Sequence, residues 1–179
     1  MMKLNAVIGI CFMLILACET NKQPLQYPEE DSFAIYFLAD DKLSATAISD
    51  RAIDELVLAE NPIITINDLL WYNWTDHAFS IVPAVAEELA LYLQARRNVH
   101  GIPFVVTVFN EPVYQGAFWF AFSSVPPPCP YIESLDVAEK VQEPVTLKIE
   151  RAWDQSKPDV RSDERIYRAL KLAGVLEKT

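Results

Sequence analysis

The stretch from Pro83 to Phe122 constrains the fold more than any other part of the chain. "PAVAEELALYLQARR" (83–97) repeats apolar residues at helical spacing, with Val85, Ala86, Leu89, Ala90 and Leu93 on one stripe. Pro83 suits the first helical position, where its missing N–H costs nothing. Arg96 and Arg97 fall in the last turn, where positive charge favours the helix dipole, and Gly101 follows as a stop signal. "IPFVVTVFNEPVYQGAFWFAFSS" then reads as two strands, rich in β-branched and aromatic residues, joined around Asn110-Glu111. That turn is not the Asn-Gly pair of a tight hairpin, so a longer loop is expected. Alternation puts Phe118, Phe120 and Phe122 on one face of the second strand and Trp119 on the other. If no helix covers that other face, Trp119 with Tyr114 and Trp74 forms an exposed apolar patch.

The flanking segments supply the rest of the fold. "SFAIYFLA" (32–39) is a continuous apolar run and predicts a buried strand. "ISDRAIDELVL" (48–58) fits either a short helix or a strand. Thr65 and Asp68 have capping-box spacing ahead of a helical turn. "WYNWTDHAFSIV" alternates as a hairpin whose turn lies near Thr75-Asp76. "VPPPCPY" (125–131) must be irregular or polyproline-like. "PVTLKIERA" (144–152) predicts a further strand. "SDERIYRALKLAGVL" (162–176) closes the chain as a helix, with Ser162 as N-cap and Gly174 as C-cap. These elements make a single α+β domain over 32–179: a mixed or antiparallel sheet with a βαββ-type unit and a C-terminal helix.

Ahead of that domain, Met-Met-Lys, an apolar run from Leu4 to Leu16 and Ala17-Cys18 have the parts of an export signal. As a helix the run would span roughly 20 Å, short of the ~30 Å hydrocarbon core, which disfavours a permanent span. Ile15-Leu16-Ala17-Cys18 resembles the bacterial lipobox. The resemblance implies cleavage after residue 17 and acylation of Cys18, with residues 18–31 as a polar, proline-containing tether. Several acyl chains would hold the protein stably, and the membrane is then one partner. Residues 1–17 contain only Lys3 among charged side chains, so the remainder carries 25 acidic against 14 basic residues. Such a surface repels phosphate backbones, and nucleic acid is not an expected partner. With 4 Gly and neither GxGxxG nor GxxxxGK[ST], a phosphate-cradling loop is not expected either.

Two further resemblances bear on the domain. From Phe79 to Phe122, the order "FSIV", "PAVAEELALYLQA", "HG" and "PFVVTVFNEPVYQGAF" resembles the repeating unit in the periplasmic head of the export-motor component SecD. The turn departs from that family, with Asn110-Glu111 where it favours Asp-Gly. The likeness implies βαββ packing and nothing about protein export. The chain as a whole is similar to small bacterial envelope lipoproteins of unassigned activity. The shared elements are Asp68, Tyr72-Asn73-Trp74, Asp76-His77 and Gly116-Ala117-Phe118-Trp119. That similarity implies an envelope location and a non-enzymatic role, and names no ligand.

Asp76-His77, flanked by Trp71, Tyr72 and Trp74, is the most conspicuous polar pair. It reads either as part of a ligand pocket with aromatic walls or as a turn whose aspartate bonds the backbone. Zinc needs three or four ligands, and His100 is the only other histidine, at a non-motif spacing, so no metal site is expected. No cofactor is implied. Cys129, among prolines, lacks a basic cluster that would lower its pKa, and reads as a covered thiol. The resulting expectation is a cell-envelope lipoprotein acting as a non-catalytic binding or assembly module for an envelope protein partner. Its interaction surface would draw on Trp71, Trp74, Asp76, His77, Tyr114 and Trp119. The alternative is a small envelope hydrolase using His77 with Asp76 or Cys129.

Overall fold

The computed structural model describes residues 32–134, 143–156 and 158–177, so Cys18 and the tether lie outside the described residues. The fold is α+β, with two sheets closing on one main core. The larger sheet has the order β2-β1-β5-β6-β7, built from β1 (Ala34–Phe37), β2 (Ile64–Thr65), β5 (Ile102–Val108), β6 (Glu111–Trp119) and β7 (Tyr131–Glu133). It is antiparallel except for β7, which runs parallel to β6. The smaller sheet, β3-β4-β8, is antiparallel and joins β3 (Leu69–Asn73), β4 (Ala78–Ile81) and β8 (Val145–Lys148). Glu150, just beyond β8, exchanges two backbone hydrogen bonds with Tyr131 in β7, which ties the two sheets together.

The helix α2 (Pro83–Ala95) starts at Pro83 as expected and buries Ala86, Leu89 and Leu93. Tyr92 stacks on Phe37 of β1 at 3.9 Å between ring centroids. The strand–helix–strand–strand run β4-α2-β5-β6 is present, but β4 belongs to the smaller sheet. The unit therefore bridges two sheets instead of packing as one. Helix α3 (Glu164–Ala173) buries Ile166, Ala169 and Leu170 against the same core. Its N-cap is Asp163, not Ser162, because the Asp163 carboxylate accepts the Arg165 N–H at 2.9 Å. Gly174, at φ 72°, closes it as expected. Residues 175–177 then run beside β3 and cover its edge, with Tyr72 N–H donating to Val175 O at 2.8 Å and Glu177 N–H to Tyr72 O at 3.0 Å.

Three other local expectations are corrected. The β5–β6 connection is a two-residue turn and not a longer loop: Val108 pairs directly with Glu111, and Phe109 and Asn110 both take positive φ. Positive φ at both central positions matches the twist of the strands, which outweighs the strain on Phe109. Residues 48–58 are neither a continuous helix nor a strand. The four-residue α1 (Ala45–Ile48), capped by Ser44, is followed by a 3-10 turn at Ile53–Glu55. The 83–97 helix stops at Arg96 without help from Gly101, which enters β5 at φ 72° instead.

All seven residues of β5 are buried, so both faces of the larger sheet are covered. Phe104 and Val106 join the main core. On the opposite face Val105 packs with Leu38, Ile48 and Leu56, and Trp119 packs with Ala45, Ala117 and Cys129. Gly101 is required there because a Cβ would overlap the Trp119 ring. Gly101→Ala combines that overlap with a left-handed backbone and should cost about 3 kcal/mol. Gly174→Ala has open space and the same φ, and should cost about 1 kcal/mol. Urea denaturation of the two variants measures the difference.

Candidate functional site

The β3–β4 turn places the conspicuous polar pair, but separates its members. Asn73 Oδ1, not the aspartate, accepts the backbone N–H groups of Thr75 and Asp76, both at 3.0 Å. This leaves Asp76 exposed and turns His77 inward at φ 53°, with 4% of its surface accessible. Both ring nitrogens are engaged: Nδ1 lies 3.2 Å from Tyr72 Oη and Nε2 lies 3.3 Å from Ser162 Oγ. Trp74, half-buried, meets the His77 ring edge-on at 5.5 Å and the Tyr167 ring at 5.1 Å. His77 thus fastens the hairpin to the start of α3. Neither Asp76 nor Cys129 holds a ring nitrogen, so the hydrolase pairs expected from sequence are not formed.

A second joint lies beside it. Arg161 grips Asp159 through Nε at 2.8 Å and Nη2 at 2.6 Å, and donates from Nη1 to Ile149 O at 2.6 Å. The guanidinium holds the Asp159 carboxyl down to about 2, from an ordinary 3.8. Burial, and then the positive charge of Arg161, push the His77 pKa below its ordinary 6.5, with Asp159 and Asp76 opposing. Burial pushes the phenols of Tyr72 and Tyr114 up.

The expected aromatic surface is corrected by the covered sheet. Trp119 is 6% exposed and Tyr114 5%, so neither can present a face to a partner. Trp71 is half-buried in β3. Phe118 and Phe120 are buried, whereas Phe122 stands half out, stacked on Phe120 and beneath the Arg97 guanidinium. The outstanding exposed aromatic is Trp153, at 71%, which the sequence reading passed over. A signal was available: "WDQSKPD" sets a tryptophan in a wholly polar stretch, where no core periodicity accounts for it. Trp153 stands at a groove of about 400 Å³ shared with Trp119, Phe120, Pro126, Pro127 and Tyr131. Its backbone N–H donates to Pro127 O at 3.4 Å, which ties it to the proline loop.

Among the described residues, no group of three or more His, Cys, Asp or Glu side chains is placed to hold a metal ion, and no helix is long and apolar enough to cross a membrane. Comparison with protein-family models, curated proteins and solved structures finds no match.

The two joints titrate in separate acid windows. A neutral His77 is favoured in the folded state, so its contribution to stability is complete above pH 6.5 and declines as pH falls below that value. The Asp159 contribution is complete above pH 3.8 and is lost as pH falls through about 2. Urea denaturation across pH should show both declines. His77→Asn, which tolerates positive φ, should remove the first, and Asp159→Asn the second.

Proposed function

We propose that the chain is an exported protein anchored to a bacterial membrane through acyl chains on Cys18. Its folded domain is a non-catalytic binding module for an envelope protein. The observation that supports this best is Trp153. An indole 71% exposed beside an aromatic and proline-lined groove keeps a large apolar face in water. Tryptophan is the residue most enriched among the side chains that dominate protein interfaces, especially where a pocket receives it or its neighbour. Glu133 lines the same groove, whereas Glu150, outside it, is paired with Lys148 at 2.7 Å. Glu133 is the one charged side chain among the described residues lining the groove, which therefore suits a partner segment that combines apolar and basic side chains. The anchor and tether place the domain near such partners, and the excess of acidic residues weighs against nucleic acid.

A second reading rests on a different observation. Ser162 is exposed, and its Oγ sits 3.3 Å from His77 Nε2, the geometry of a nucleophile beside its base. This moves the hydrolase alternative from Asp76 or Cys129 to Ser162. Behind the imidazole stands a phenol that burial keeps neutral, where the usual orienting group is a carboxylate. That arrangement supports a structural joint better than an activated serine.

Complementation of a deletion strain separates the two. Trp153→Ala should fold normally, and should lose copurification of the partner by about 30-fold, the equivalent of ~2 kcal/mol at an interface anchor. Unchanged copurification would remove the binding surface. Ser162→Ala should complement fully; failure to complement with a folded protein would favour the hydrolase. The mass of the N-terminal peptide should carry acyl chains on Cys18, and an unmodified mature terminus would overturn the anchoring.

A further inference from the structure

A second concavity, separate from the Trp153 groove, has the chemistry of a small-molecule site. It measures about 350 Å³, at the small end of ligand cavities. Four segments meet around it: residues 49–53 after α1, the Val113–Gln115 part of β6, the Pro128–Pro130 turn, and residues 151–154 with 158–160. Gln115 Nε2 donates to Ser49 O at 3.4 Å and so joins the first two. Ile53, Val113, Pro130, Ala152 and Val160 give it apolar walls.

It gathers arginines in an otherwise acidic protein. Three guanidinium groups (Arg51, Arg151 and Arg161) stand in or directly against the cleft, with two carboxylates, Asp154 and Asp159. Asp159 is held bidentately by Arg161. Asp154 accepts the Ser156 N–H at 3.0 Å and the Ser156 hydroxyl at 2.6 Å. Arg51 stands at the mouth: its side chain is exposed and makes no hydrogen bond or ion pair with a described residue.

From this geometry we propose that the cleft binds a small monocarboxylic acid, its carboxylate on Arg51 and its apolar body against Ile53, Val113 and Pro130. The planar guanidinium of Arg51 matches the two oxygens of one carboxylate. The walls offer an apolar body the burial that a bare inorganic anion could not use. The Gln115 amide adds a polar contact. Its Oε1 is buried and accepts no hydrogen bond from a described residue, and rotation about its terminal torsion is soft, so an N–H or O–H on the acid can draw it toward the cleft. This proposal is independent of the partner groove. Trp153 is not part of the cleft.

Titration calorimetry on the full-length protein tests it, with phenylacetate as probe and phenylacetamide as its uncharged analogue. Phenylacetate should bind at one site, about fivefold tighter than the amide, and higher salt should erode that advantage. Arg51→Ala should abolish the difference between the two probes. Arg97→Ala, an arginine outside the cleft, should leave it intact. Arg51 is exposed, so its variant is expected to melt with the parent. Equal affinity for acid and amide in the parent, an unchanged preference in Arg51→Ala, or no saturable binding would each overturn the proposal.

Discussion

The complete burial of β5 is the constraint on which the rest of the structure depends. A strand with water on neither side needs a covering layer on both. One layer is the main core, where Phe104 meets Phe118 at 5.2 Å and helices α2 and α3 close over the top. The other is built from residues 38–58 and the proline turn at 127–130, which contain little regular structure. That irregular layer covers Trp119, with Cys129 and Ala45 packed against it. It also shapes the two concavities, since both are formed where its segments meet the larger sheet.

The smaller sheet is held by polar joints as well as by packing. His77 spans from Tyr72 in β3 to Ser162 at the start of α3. Arg161, the next residue back, binds Asp159 and the carbonyl of Ile149 just beyond β8. Three segments distant in sequence are thereby fixed within one polar patch. A half-buried arginine with a bidentate carboxylate and a backbone acceptor leaves few unsatisfied donors, so its desolvation is largely offset. The same segment carries Val160 into the wall of the small cleft, which couples the joint to the site next to it.

Local periodicity made the regular elements legible. Helix α2 with its proline start, the β3–β4 hairpin, β5, β6, β8 and the glycine stop of α3 all follow from apolar spacing and turn residues. The covering layer was not legible, because residues 38–58 have no period that distinguishes a covering layer from a surface loop. Without it, Trp119 read as exposed. The tight β5–β6 turn was missed because Phe109 is a poor residue for positive φ, and only the register of the long flanking strands imposes it. Ser162 reads as well as Asp163 for a cap; the aspartate prevails through its added bond to Arg165. The candidate site was legible only in its residue type. An aromatic surface was expected, and the structure buries Trp119 and Tyr114 while setting Trp153 outside.

Placing a photoreactive amino acid at position 153 of the full-length protein, in intact envelopes, addresses the central claim most directly. The control is the same group at Leu172, which is 80% exposed on α3. A discrete protein adduct from position 153 that is missing from position 172 is the predicted result. Matching adducts from the two positions, or none from position 153, would contradict a partner surface at the Trp153 groove.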